Sequence, residues 1–256
     1  MSKVSFSRVE CWRQCPKKYY YRYVEGIRVE PELKPDNALI LGSTMDRGIE
    51  KGYEEAEKYY FEQFPTRSDA METELMKIHY WVPQVRKMLH DGRFQVKIET
   101  DDFIGFADYV EDNLLADFKY TSHPENYKDS AQLHVYASMM DPRPEYMCYV
   151  CVPKLFINKY KDGETKEQYK ERMDRLRDWQ YNDIVKFRQY IKEELEQMEI
   201  KVIHIDYDQD KVDEFWRDAE AMLQDRTFEI RKNDYCTYCD YKNLCKPPRK
   251  FKKKPI

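Results

Sequence analysis

The chain is poor in glycine. Only seven of its 256 residues are Gly. None falls in a G-x-G-x-x-G or G-x-x-x-x-G-K-[ST] pattern, so neither a Rossmann nor a P-loop enzyme is expected. It also lacks any run of about 18 apolar residues, the length a membrane span requires. The N-terminus, Met1 to Arg8, has no apolar stretch of the signal-peptide kind. An intracellular protein without a membrane contact is therefore expected. The five histidines, His79, His90, His123, His134 and His204, are scattered. They form no His-x-x-x-His pair and none is assigned a role. The net charge is only −4, which by itself offers no bulk attraction to a polyanion.

What is present is charge and aromatic surface. Charged residues make up 36% of the chain and aromatic ones 15%, so long amphipathic elements are expected and disorder is not. The length suits one large domain, or one domain with an appendage. The charge is uneven. Lys246, Arg249, Lys250, Lys252, Lys253 and Lys254 form a basic tail. A second basic stretch, Arg8, Arg13, Lys17, Lys18, Arg22 and Arg28, is interleaved with Trp12, Tyr19, Tyr20, Tyr21 and Tyr23. Cations mixed with aromatics suit phosphate contacts and base stacking; a solvated tail and ordinary packing of the tyrosines are the plainer readings.

Periodicity predicts a first helix capped by Ser5 or Ser7 and interrupted or restarted at Pro16. Further helices are expected over 37–64, 69–90 (with a possible kink at Pro83), 130–140, 164–198 and 209–224. Strands are expected over 94–100, 103–110, 114–120, 145–156 and 202–207. Strands clustered mid-chain between helices imply an α/β domain.

The most informative segment runs from Ile104 to Lys119. With Asp112-Asn113 as a two-residue turn, a hairpin forms in which Asp108 falls opposite Asp117. Strand alternation places Asp117 and Lys119 on one face. Two facing carboxylates repel unless a cation joins them, and hard oxygen ligands favour Mg²⁺ or Mn²⁺. A nearby lysine can orient a water or stabilise developing phosphorane charge. Together these are the parts of metal-assisted phosphodiester hydrolysis; an exposed polar hairpin face is the simpler alternative.

Seven cysteines in a reducing compartment suggest thiols or metal ligands rather than disulfides. Cys236, Cys239 and Cys245 form a C-x₂-C-x₅-C run in a tail without regular periodicity, which a metal would order. Three thiolates need a fourth ligand for Zn²⁺ or a [4Fe–4S] cluster. The candidates are Cys11, Cys15, Cys148 and Cys151; the last two, of opposite parity in an apolar strand, read as buried small hydrophobes.

Several of these segments, in this order, resemble the PD-(D/E)xK nuclease superfamily in its RecB-like branch. Gly105-x-x-Asp108 followed by Asp117-Phe118-Lys119 is similar to the nuclease core. Ser5 to Tyr19, with Trp12 and Cys15-Pro16, resembles the opening helix, and Gln132-x-x-x-Tyr136 the QxxxY motif. Cys236, Cys239 and Cys245 resemble the cysteine cluster of the iron–sulfur members, which include CRISPR-associated RecB-like and AddB-type nucleases. The resemblance implies a restriction-endonuclease-like α/β core with a central mixed sheet flanked by helices. It implies one domain over 1–246: a helical part over about 1–92, the nuclease core over about 93–207, and a C-terminal helix and cysteine cluster over about 208–246. A basic tail, 247–256, would follow. Asp108 and Asp117 would bind Mg²⁺ or Mn²⁺, Lys119 would assist the attacking water, and Gln132 and Tyr136 would orient the site or touch the DNA backbone. Cys15 fits the family's fourth-ligand position, and the one-plus-three spacing favours [4Fe–4S] over Zn²⁺. The expected activity is exonucleolytic cleavage of DNA, at linear or single-stranded ends. One departure is informative. Gly42-Ser43-Thr44-Met45-Asp46 places Asp46 where the family usually has a metal-binding His. Asp remains a competent Mg²⁺ ligand; it also keeps open a degenerate, DNA-binding scaffold.

Overall fold

The computed structural model describes residues 3–30 and 33–245; the basic tail lies outside the described residues. Five strands form one mixed sheet in the order β1 (Arg93–Glu99), β2 (Ile104–Glu111), β3 (Leu114–Thr121), β4 (Tyr146–Pro153) and β5 (Lys201–Ile205). β1, β2 and β3 are joined antiparallel, β3 and β4 run parallel, and β5 returns antiparallel to β4. The parallel pair requires a crossover, supplied by α6 (Gln132–Ser138).

Helices cover both faces. On one side lie α3 (Ala38–Lys51), α4 (Tyr53–Glu62), α5 (Asp69–Lys87), α7 (Lys166–Asn182) and α8 (Ile184–Glu196). Leu41, Trp81, Leu176 and Phe187 pack there against Tyr109, Phe118 and Val150 of the sheet. On the other side lie α1 (Phe6–Gln14), α6 and α9 (Gln209–Gln224), where Val9, Leu133 and Phe215 meet Leu115, Tyr149 and Cys151. Cys148 and Cys151 are buried in opposite layers, as their parity requires. Among the described residues no helix is long and apolar enough to cross a membrane.

Two expected helices are each divided. The 37–64 helix breaks at Gly52, whose φ of 100° lies in a region that glycine enters without a Cβ clash. The 164–198 helix breaks at Asp183, whose backbone is not helical (φ −148°, ψ 70°) and whose side chain caps α8 by accepting the Lys186 N–H. Pro83, by contrast, sits inside a continuous α5. Pro16 starts the short α2 (Pro16–Tyr19), at the position where its missing N–H costs nothing.

The first and last segments of the described residues meet. Val4 bridges Phe103 at the sheet edge. The Trp12 indole donates to Asp225 Oδ2 at 2.9 Å, Arg13 pairs with Asp218, and the Asn233 amide donates to the Gln14 carbonyl at 2.8 Å.

Candidate active site and thiol-lined cavity

The hairpin closes at Asp112-Asn113, with Asp112 in the left-handed region (φ 41°), which Asp tolerates. The register is Glu111↔Leu114, Val110↔Leu115 and Tyr109↔Ala116, and there the regular ladder ends. Instead of continuing it, the Phe118 N–H donates to the Asp108 carboxylate (Oδ2, 3.0 Å). On the other side of β2, Gln95 takes a left-handed φ of 48° and its amide donates to Asp108 Oδ1 at 3.2 Å. Ala107 and Val110 both pack into the α6 layer, whereas Tyr109 packs into the opposite one. Strand alternation therefore slips at Asp108, as at a bulge that re-aims a side chain. Asp108 meets β3 through its side chain rather than as one member of a flat facing pair.

Asp117 is only 2% exposed. Its Oδ1 accepts from the Gln132 amide at 2.8 Å. The Lys119 ammonium pairs with the other carboxylate oxygen, Oδ2, as a buried ion pair. Lys119 also donates to the Gln132 carbonyl oxygen at 3.4 Å. The Gln132 amide thus spans both charges, its NH₂ toward the anion and its oxygen toward the cation. One helical turn on, Tyr136 is buried beside them. A Cβ at Gly105 would stand 2.9 Å from the rings of both Tyr136 and Phe103, so the close approach of α6 to β2 requires glycine there.

Asp46 comes from α3. Burial, and then repulsion from Asp108 and Asp117, push its carboxyl up to about 8, against the opposing pull of Lys119. Burial also lifts Asp117 up to about 7, with Lys119 pulling down and Asp108 pushing up. Burial acts to lower the Lys119 pKa, but the Asp117 carboxylate outweighs it and holds the ammonium charged. Three carboxylates and one ammonium thus share one neighbourhood that is short of positive charge. The structure thus brings together Asp46, Asp108, Asp117, Lys119, Gln132 and Tyr136. Among the described residues, however, no three His, Cys, Asp or Glu side chains form a ready-made metal-coordinating group. The donor chemistry still fits a hard divalent cation, since three carboxylates that repel one another bring hard oxygens together with a single ammonium among them.

The second gathering lies at the chain ends. Cys15, Cys236, Cys239 and Cys245 all line one cavity of about 440 Å³. Burial, followed by the three other thiols, pushes the Cys245 thiol up. Backbone N–H groups of Arg231 and Asn233 donate to the sulfurs of Cys15 (3.4 Å) and Cys236 (3.5 Å). Lys18, Lys232 and Lys242 also line the cavity. Cys11 is buried in α1 and is not part of the lining.

An α/β fold whose mixed sheet carries carboxylates and a lysine on a kinked hairpin has the architecture of a restriction-endonuclease-like hydrolase. The chain matches the model of the PD-(D/E)XK nuclease superfamily over residues 3–246, and it belongs to that superfamily. It is accordingly a metal-dependent nuclease acting on nucleic acid. No curated protein and no solved structure shows a match. Sequence reasoning missed Gln95 and the Phe118 N–H as partners of Asp108. Only the irregular backbone points to them.

Proposed function

We propose that the protein is a RecB-like deoxyribonuclease that degrades DNA from its ends. The observation that carries this reading is the buried Asp117 carboxylate, contacted by Lys119 and Gln132 and crowded by Asp46 and Asp108. Asp46, Asp108 and Asp117 would hold Mg²⁺ or Mn²⁺. When bound, the ion supplies Lewis acidity and lowers the pKa of a water. The chain's own groups do the rest. Gln132 locks the Asp117 carboxylate and orients the Lys119 ammonium. Lys119 brings positive charge to where the phosphorane would develop and orients the attacking water. Tyr136, packed under Gly105, fixes the helix that carries Gln132.

The four cavity-lining cysteines would hold a [4Fe–4S] cluster, with Zn²⁺ as the alternative. Supporting a shared ligand is the one cavity that all four thiols line; the one-plus-three spacing along the chain is what favours the cluster over Zn²⁺, by resemblance to the iron–sulfur members of the family. The three lysines around the cavity would offset the negative charge of a thiolate-bound cluster, and N–H donors to its sulfurs would tune it.

A second reading, a catalytically degenerate DNA-binding scaffold, is favoured only by Asp46 in the usual His position. One experiment separates the two. The protein is purified without oxygen, its visible spectrum recorded, and linear and circular DNA are offered with Mg²⁺ or Mn²⁺. The expected outcome is a brown protein that degrades linear DNA only with metal, and an inactive Asp117→Ala variant. Equal cleavage by Asp117→Ala would refute the site, and binding without cleavage would establish the scaffold.

A further inference from the structure

Charge alone does not hold the Lys119 ammonium. Tyr127 closes the single helical turn Pro124–Tyr127 that follows β3, and its ring centroid lies 5.5 Å from Lys119 Nζ. Tyr149, the register partner of Asp117 on β4, presents its ring at 5.8 Å from the same nitrogen. The two rings are themselves in contact, with centroids 5.5 Å apart and planes inclined by 39°. Tyr149 is fully buried, and Tyr127 packs against the same layer. One ammonium is thus surrounded by two π faces, a carboxylate and an amide oxygen. Both rings fall within the range in which a cation is attracted to an aromatic face, an attraction that grows as water is removed. The Lys119 side chain is only 21% exposed.

A lysine on a flexible four-carbon stem needs such a seat. Its other anchor, Asp117 Oδ2, is the oxygen for which a divalent cation would compete. The rings attract the ammonium without competing for the metal. We infer that Tyr127 and Tyr149 are positioning residues that keep the Lys119 ammonium beside Asp117. The inference rests on the reading of Lys119 as a participant in hydrolysis. Tyr127 is the informative member of the pair. It is half-buried at a turn, so it can be changed with less disturbance of the core than Tyr149.

The test uses Tyr127→Phe, which keeps the π face, and Tyr127→Leu, which removes it. Two readouts are needed: NMR of the metal-free protein carrying ¹³Cε-labelled lysine, with the Lys119 signal assigned by its loss in Lys119→Arg, and steady-state cleavage of DNA. Ring currents are expected to shift the Lys119 signal upfield of the other lysines in wild type and in Tyr127→Phe. In Tyr127→Leu it moves toward them. Tyr127→Phe should cleave at near the wild-type rate, while Tyr127→Leu loses about tenfold in kcat with little change in KM, the scale of one desolvated cation–π contact. A Lys119 signal unmoved in Tyr127→Leu would overturn the inference. So would a raised KM with kcat unchanged, which would make Tyr127 a substrate contact. A shifted signal in a wild-type protein that cleaves no nucleic acid would refute the nuclease reading, and the catalytic purpose of the rings with it, while upholding the contact itself.

Discussion

The acidic hairpin and the thiol-lined cavity solve the same problem in opposite ways. Each gathers residues from distant parts of the chain. At the hairpin the groups stand on strands and helices with buried cores on both faces, and they already contact one another: Gln132 with Asp117, Lys119 with Asp117, Phe118 N–H with Asp108. At the cavity, Cys236 is exposed, and Cys239 and Cys245 lie outside any helix or strand, beyond the last long helix. Few apolar side chains are buried there; Tyr241 is one, its hydroxyl donating to the Ile27 carbonyl at 2.9 Å. The first region is preorganised by the sheet. On the proposed reading, the second would owe most of its order to what its thiols hold, as small metal-ordered segments do. The first would then be a site built for chemistry and the second a clasp built for closure.

That contrast can be broken by experiment. The largest effect is expected from Cys239→Ser. It should abolish the visible chromophore and speed proteolysis within residues 228–245 by roughly tenfold or more, while far-UV circular dichroism of the sheet and helices is retained. Limited proteolysis followed by mass spectrometry reads this directly. Cleavage at the wild-type rate would mean that the clasp stands without its ligand.

An intermediate effect is expected from Gly105→Ala. The new Cβ meets the Tyr136 and Phe103 rings at 2.9 Å, and overpacking of this kind costs about 1–3 kcal/mol. The urea midpoint should fall, and cleavage should fall with it, because α6 carries both Gln132 and Tyr136. A lowered midpoint with undiminished cleavage would show that α6 can move away without loss, against the idea of a preorganised site.

The smallest effect concerns the protein's own link between the chain ends. Burial pushes the Asp225 carboxyl up. Hydrogen bonds from the Phe228 N–H, the Trp12 indole, and the Thr227 N–H and hydroxyl outweigh it and hold it at about 2, below its ordinary value of 3.8. A carboxyl whose folded pKa is depressed contributes stability above its unfolded pKa and loses it as pH falls through the folded one. Between pH 4 and 2, wild type should therefore lose more Tm than Asp225→Asn. Parallel Tm curves for the two proteins over that range would contradict the assignment.

Much of this was legible in the sequence, for identifiable reasons. The five strands follow from apolar, β-branched and aromatic runs bounded by turn residues, and Asp112-Asn113 marks its own turn. The four cysteines that share the cavity are those singled out by spacing and resemblance, with Cys15 rather than Cys11 in the lining. Less legible were features that arise only in three dimensions. Gly52 sits in a sequence that reads as continuous helix, and nothing local shows that its φ is positive. The slip of alternation at Asp108 depends on Gln95, thirteen residues away on another strand. The rings around Lys119 come from a turn and a parallel strand whose alignment appears only once the crossover is made.

The most direct test of the central claim is the cleavage of end-labelled linear DNA by wild type and Lys119→Ala, side by side, with and without Mg²⁺ or Mn²⁺. Wild type should degrade the DNA only when metal is present. Lys119→Ala, with an unchanged fold by circular dichroism, should be slower by roughly 10²–10⁴-fold, the range of a positioned proton-transfer group. Equal rates for the two proteins, or cleavage that ignores metal, would contradict the account.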